Sequence, residues 1–408
     1  MKSRVLRILT EITAMMTLLA PLAMPAQPAA QEQHQKAKHV QHYTITDLGT
    51  LGGTYSYAYG INNAGQVAGG SATPTQSGGV FQTAFLWDGG HMINLGTLGG
   101  PSSEADAPNA RGEVPVLSET STPDPNGEDF CGFGTHLQCL GAIWKNGVLT
   151  ALPTLPGGHN AQAYGINNRG QLVGFAENGY RETSGYCATP FQVLRFEAVI
   201  WGPHGEIQEL HPLAGDTVAF AFGINDKGQA VGASGLCSNT SLPPNGPPGA
   251  PHAVLWEKDG SVTDLGILPG GVGANVATSI NNRGEVVGNV QLSDGTFHPF
   301  LWTRQTGMHA LGAFPGAVAT IAPCCDVLNN KGEVAGFSCD AVGNCRALVW
   351  QDEVPVDLNT LIPEGSPWYL QGASSINDAG EIAGFGATGT GEIHAFLATP
   401  SHRFSSFK

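Results

Sequence analysis

Apolar residues fall in short runs separated by glycine, asparagine and proline, and no stretch of the chain keeps a helical period. The runs recur in a fixed order. One block, Ile61-Asn62-Asn63-Ala64-Gly65-Gln66-Val67-Ala68-Gly69, returns at 166–174, 224–232, 280–288, 328–336 and 376–384, with an altered copy at Asn109-Ala110-Arg111-Gly112-Glu113-Val114. A second block ends in tryptophan, at 84–87, 142–144, 198–201, 253–256, 299–302 and 347–350. Its last copy, Ala395-Phe396-Leu397-Ala398, has lost the tryptophan. The third block, Asp47-Leu48-Gly49-Thr50-Leu51-Gly52-Gly53, is echoed at 94–100, 152–158, 210–215, 264–271, 311–316 and 357–363. Self-similarity of this kind marks a repeat architecture.

Each block predicts a piece of sheet. Asn-Asn-Xaa-Gly between apolar runs predicts a tight hairpin, because asparagine and glycine tolerate the positive φ that such turns need. Ala-Phe-Leu-Trp is apolar throughout and predicts a strand covered on both faces. The third block predicts a fourth strand that runs into a glycine-rich turn. Four short strands per unit match the blade of a β-propeller. Residues 43–48 are a fourth strand with no first three before it, and 371–398 supply three strands without a fourth. The expectation is an all-β, seven-bladed β-propeller of four-stranded antiparallel blades, its ring closed by the N-terminal strand completing the last blade. An open β-solenoid competes, but gives no reason for complementary partial units at the two ends. A closed ring leaves no free strand edge, and a monomer is expected.

Composition agrees. Glycine supplies 57 of 408 residues and charged residues only 12%, which suits many tight turns, while 41% hydrophobic residues still allow a core. The formal net charge of −15 disfavours nucleic acid and anionic membrane surfaces as partners, since both select a basic face. Lys2, Arg4 and Arg7 precede an apolar run over 8–23, so residues 1–26 predict an export signal. A membrane anchor is the competing reading of that run, which is short for one. Residues 27–41 are polar and predict a linker, 42–400 the propeller, and 401–408 a tail. Secreted, periplasmic or cell-surface residence follows, without stable insertion in a membrane.

The three motifs together resemble the HAF repeat of bacterial extracellular proteins, named for His-Ala-Phe, which stands intact at His394-Ala395-Phe396. Near matches are His252-Ala253-Val254 and His298-Pro299-Phe300. The resemblance runs from about Tyr43 to Thr399 and implies an exported bacterial repeat protein; it implies no activity. The second copy departs from the pattern at Pro108 and Pro115, and a less regular blade is expected there.

Candidate chemistry gathers in the connections between second and third strands. These are short in the fifth to seventh units and expand in the second, third and fourth, at 118–140, 177–196 and 234–251. Long irregular loops are often functional. Phe130, Phe133, His136, Tyr180, Arg181, Tyr186 and Arg195 are the candidate ligand-binding residues, since aromatic faces with polar partners suit sugars or peptides. The alternatives are neutral drift of the loops and aromatics that pack the loops themselves.

The eight cysteines fit an oxidising compartment. Their positions predict local pairs Cys131–Cys139 and Cys339–Cys345, a bridge between units from Cys187 to Cys237, and a vicinal Cys324–Cys325 link. A zinc site is the alternative, without the usual ligand spacing. His252, His298 and His394 hold one repeat position, so rotation spreads them apart rather than onto one metal ion. The asparagine pairs offer amides where calcium prefers carboxylates. No phosphate loop or nucleophile elbow is present, and no cofactor is expected. The favoured function is a binding scaffold that presents these loops to an extracellular glycan, peptide or protein surface. The alternatives are a lyase or hydrolase on extracellular polymer, using clusters such as Arg181 with Glu182 or Asp129 with His136, and a purely structural surface protein.

Overall fold

Ser56–Ile61, Val67–Ser71, Thr83–Asp88 and His91–Gly96 form an antiparallel sheet whose strand order is the chain order. This computed structural model describes residues 41–75, 81–183, 187, 192–241 and 249–401; the expected export signal and tail lie outside them. The same four-stranded arrangement recurs over 99–151, 161–210 and 218–264. Two more such groups, over 271–310 and 319–357, are joined by one parallel pairing of Phe297 with Ala319. The last sheet takes three strands from Tyr369–Ile376, Ile382–Ala387 and Ile393–Ser401. Its fourth is His42–Gly49, which runs from His42 opposite Ser401 to Gly49 opposite Ala395.

Local sequence explains the strands. The second strand of each unit is hemmed in on both faces; all of Val67–Ser71 and all of Ala230–Gly235 are buried. Its glycine is required by close approach, since a Cβ on Gly288 would stand 2.0 Å from the Val276 carbonyl oxygen across the hairpin. The tryptophan that ends the third strand reaches back toward the preceding unit. The Nε1 groups of Trp201, Trp256 and Trp350 donate to the carbonyls of Pro153, His211 and Gly312 at 2.8–2.9 Å. Apolar clusters fill the spaces between neighbouring sheets. One of them unites Ala68, Leu86 and Leu95 of the first unit with Val114, Val116 and Ala142 of the second.

The hairpin turns also join unit to unit. In the first turn, Asn62 Oδ1 accepts from the main-chain N–H of Ala64 and of Gln66, both at 3.0 Å, which shapes the loop around Gly65. Its Nδ2 donates to the carbonyl of Asn109 in the next unit. Asn109 donates in turn to Asn167, Asn167 to Asn225, Asn225 to Asn281, Asn281 to Asn329 and Asn329 to Asn377. Asn377 donates to Asn62, so the hydrogen bonds run through all seven turns and return to their start at 2.9–3.2 Å. Despite its prolines, the second unit keeps both its turn and its link in this series.

Candidate functional site

Because the asparagine turns join first strands to second, the connections from second strands to third emerge at the opposite end of each sheet. The long ones bridge Val114–Pro123 to Leu137–Lys145, Leu172–Arg181 to Leu194–Trp201, and Ala230–Gly235 to His252–Trp256. They lean on one another. Phe130 and Phe133 are buried, and with Phe175, Phe196, Phe220 and the cysteines at 139, 187 and 237 they form one aromatic cluster. Phe130 lies 5.5 Å from Phe175, which is itself 5.5 Å from Phe196, ring centre to ring centre. Gln162 Nε2 donates to the Phe130 carbonyl at 2.7 Å and fixes the tip of the second insertion over the third unit. The rings of Phe130 and Phe133 thus anchor the insertion.

Polar groups tie the second insertion to the third. Arg181 Nη2 donates to Asn126 Oδ1 at 3.0 Å. Glu128 is fully buried, and its carboxylate accepts the main-chain N–H groups of Val193 and Leu194. Glu177, also fully buried, accepts from the N–H of His159 and Asn160, from the Asn160 side chain and from Gln192 Nε2 at 2.8–3.1 Å. Asn160 Nδ2 reaches Asp124 Oδ2 as well, at 2.8 Å. Burial, reinforced by the charge and hydrogen bond of Glu128, pushes the Glu177 carboxyl far above the ordinary range. Glu177 therefore holds a proton at neutral pH, and two buried acids coexist. Glu197 is pushed up to about 7 by burial and by Glu209, against Arg195 and Asn178.

The other candidates divide between structure and surface. Arg195 Nε forms a 3.0 Å ion pair with Glu182, a residue that the sequence set beside Arg181. His136 Nδ1 stands 2.8 Å from the Gly127 carbonyl, and Asp129 accepts the N–H of Gly134. Tyr180 is 71% exposed at the rim. Tyr186 lies outside the described residues. The cysteines form four disulfides: 131–139 within the second insertion, 187–237 between the third and fourth, 339–345 across the sixth hairpin, and the vicinal 324–325. His252 and His394 bond to Asp264 and Asp47 at 2.8 and 2.9 Å, each within its own sheet. Among the described residues, no three histidine, cysteine or acidic side chains converge as metal ligands. No helix there is long and apolar enough to cross a membrane. Sequence reasoning passed over Glu128, Glu177 and Asn160: Glu128 and Glu177 lie in the two longest connections and Asn160 just before Ala161–Ile166, and nothing local to each residue marks it as buried.

The fold is therefore an all-β, propeller-like assembly of four-stranded antiparallel sheets. No family model matches the chain, and no curated protein matches it. Among solved structures it is similar to a streptogramin B lyase at 13% identity, over 88% of this chain and 98% of that one, with a TM-score of 0.48. It is similar to a puromycin hydrolase at 12% identity, over 86% of this chain and 54% of that one, with a TM-score of 0.49. The acylaminoacyl peptidase of Pyrococcus horikoshii gives 10% identity, the same two coverages and a TM-score of 0.49. The chain spans about half the length of the latter two. Likeness at this level carries no argument about chemistry.

Proposed function

We propose that residues 42–400 form a closed seven-bladed β-propeller of the HAF-repeat kind, exported by means of segment 1–26. It works as a binding scaffold for an extracellular glycan, peptide or protein surface. Ring closure is supported by the asparagine series that returns from Asn377 to Asn62 and by the pairing of His42–Gly49 with Ile393–Ser401. The observation that carries the binding role is the way the insertions are braced. Three neighbouring loops share one aromatic cluster, a disulfide joins the third to the fourth and buried hydrogen bonds of Glu128 join the second to the third, yet they leave Tyr180 71% exposed with Arg181 beside it. A rigid loop platform with an exposed aromatic ring loses little entropy on binding, which is the usual requirement of a recognition surface.

A glycan and polysaccharide array probed with the mature protein tests this reading. Saturable binding that falls at least tenfold in Tyr180→Ala with Arg181→Ala is the expected result. Absence of binding, together with depolymerisation of any polysaccharide on the array, would replace the scaffold by an enzyme. Absence of both would leave the structural surface protein.

A further inference from the structure

The strands that lead into the second and third insertions carry the same irregularity. Where Val114–Pro123 pairs with Leu137–Lys145, the register steps from Glu119 opposite Cys139 to Pro123 opposite Leu137, so Thr120, Ser121 and Thr122 face Gln138 alone. At the equivalent place in the third unit it steps from Glu177 opposite Phe196 to Arg181 opposite Leu194. Asn178, Gly179 and Tyr180 therefore arch over Arg195. The fourth unit has no such step between its second and third strands. Bulges re-aim side chains, and they recur beside binding sites.

Both arches are braced from within. The main-chain N–H of Thr122 donates to Thr120 Oγ1 at 3.1 Å, and that of Tyr180 to Asn178 Oδ1 at 3.0 Å. Asn178 is buried, and its Nδ2 donates to Glu197 Oε1 at 3.2 Å. The turn ahead of the third unit packs so closely that a Cβ on Gly157 would stand 2.7 Å from Gly179 Cα. Ser121 and Thr122 are exposed on one arch, and Tyr180 on the other with Arg181 at its foot.

Arg181 stands apart from most other arginines of the chain. Arg111, Arg195, Arg283, Arg304 and Arg346 each pair with a carboxylate. Glu182, next to Arg181, is taken by Arg195, and Arg181 forms no ion pair among the described residues. This happens on a chain with 33 acidic side chains against 18 basic ones. The bond from Nη2 to Asn126 Oδ1 holds the guanidinium in place, and the N–H of Asn126 is held by Asp124 Oδ1 at 2.8 Å. The rest of the planar fork is open, and its geometry matches a carboxylate. An exposed tyrosine ring adds flat, rigid, amphipathic contact area. A pyranose offers an apolar C–H face to such a ring and edge hydroxyls to Ser121 and Thr122. A sugar acid satisfies the ring, the hydroxyls and the fork together.

We propose that the two arches recognise a uronate-bearing oligosaccharide, with a sugar face on Tyr180, a carboxylate on Arg181 and hydroxyls on Ser121 and Thr122. The assignment rests on the binding-scaffold reading of the insertions and names the ligand class.

Binding of the full chain to a panel of uronate-containing oligosaccharides tests it, each measured beside its carboxyl-reduced, neutral counterpart, with an oligoglutamate peptide as a further probe. At least one acidic member should bind saturably, at least tenfold more tightly than its neutral counterpart, and should weaken as sodium chloride is raised. That comparison alters the ligand and not the protein, so it stands even if a variant fails to fold. Arg181→Gln should bring the two counterparts within about twofold of each other, and Tyr180→Ala should weaken both by about tenfold. Equal binding of the counterparts by the unaltered chain would overturn the acidic assignment while the scaffold reading stands. Binding of the peptide and of no oligosaccharide would overturn it in favour of a peptide partner. No binding of any probe would overturn it together with the glycan scaffold.

Discussion

Asn377 donates its side-chain N–H to the main-chain carbonyl of Asn62, 3.0 Å away and 315 positions earlier in the chain. The bond joins the last turn to the first, and each turn asparagine makes its equivalent while its Oδ1 holds its own loop. Replacing Asn225 by alanine strands the N–H groups of Lys227 and Gln229 and the carbonyl of Asn281. The expected cost is on the order of 3 kcal/mol in denaturant unfolding. Asn63→Ala, at an exposed position of the first turn, should cost less than about 1 kcal/mol.

Removal of residues 42–49 takes away the partner of Ile393–Ser401 along its whole length and uncovers Leu361, Leu370 and Phe396, which pack against Tyr43. The shortened chain should melt at a markedly lower temperature. It should also self-associate in light scattering, because a bare strand edge is a template for pairing. A truncated chain that stays monomeric with an unchanged melting temperature would contradict the role given to this strand.

The buried pair Glu128 and Glu177 predicts a pH dependence. Glu177 keeps its proton in the folded chain to a pH well above the 4.5 of an ordinary glutamate. Across that interval the folded state binds more protons than the unfolded state, so stability falls as pH rises above about 4.5. Glu177→Gln keeps the shape and removes the titration. Melting temperatures from pH 5 to pH 9 should decline more shallowly in the variant, and the variant should be the more stable protein at the alkaline end.

Glu113 predicts the opposite sign. Burial alone would raise its carboxyl, but hydrogen bonds from Arg111, Lys145 and Asn109 prevail and hold it at about 2. Its contribution is complete above the ordinary 4.5 and is lost as pH falls toward 2. Glu113→Gln should cost on the order of 2 kcal/mol near neutrality, and the curves of variant and parent should converge in acid. Parallel curves would mean that the carboxylate is not the source.

Cys187 and Cys237 close a loop of 50 positions between the third and fourth insertions. Replacing both by serine should lower stability by about 2–4 kcal/mol. Because the bridge braces the insertions, the same change is expected to weaken ligand binding without altering the circular dichroism of the sheets.

Much of this fold was legible because its signals are local and repeated. A hairpin announces itself in Asn62-Asn63-Ala64-Gly65, and its recurrence marks each four-stranded unit even where Pro108 and Pro115 blur one of them. The cysteine pairs were legible because each lies in a short span or in insertions of adjacent units. What escaped were relations that cross between units. Asn62 showed itself as a turn former, yet its bond to Asn109 depends on two sheets standing side by side. Phe130 and Phe133 suited a ligand by composition, and burial depended on Phe175 and Phe196 arriving from the next unit.

The pairing of the terminal strands has a consequence for timing. His42–Gly49 leaves the ribosome before any of the described sheets, and its partner Ile393–Ser401 leaves after all of them. Neighbouring hairpins can form while the chain is still being made, but the last sheet waits for both ends to be present at once. A strand held unpaired for that long is exposed to every other copy nearby. Its polar face, with Thr44, Thr46 and Asp47 outward, keeps it soluble until its partner comes.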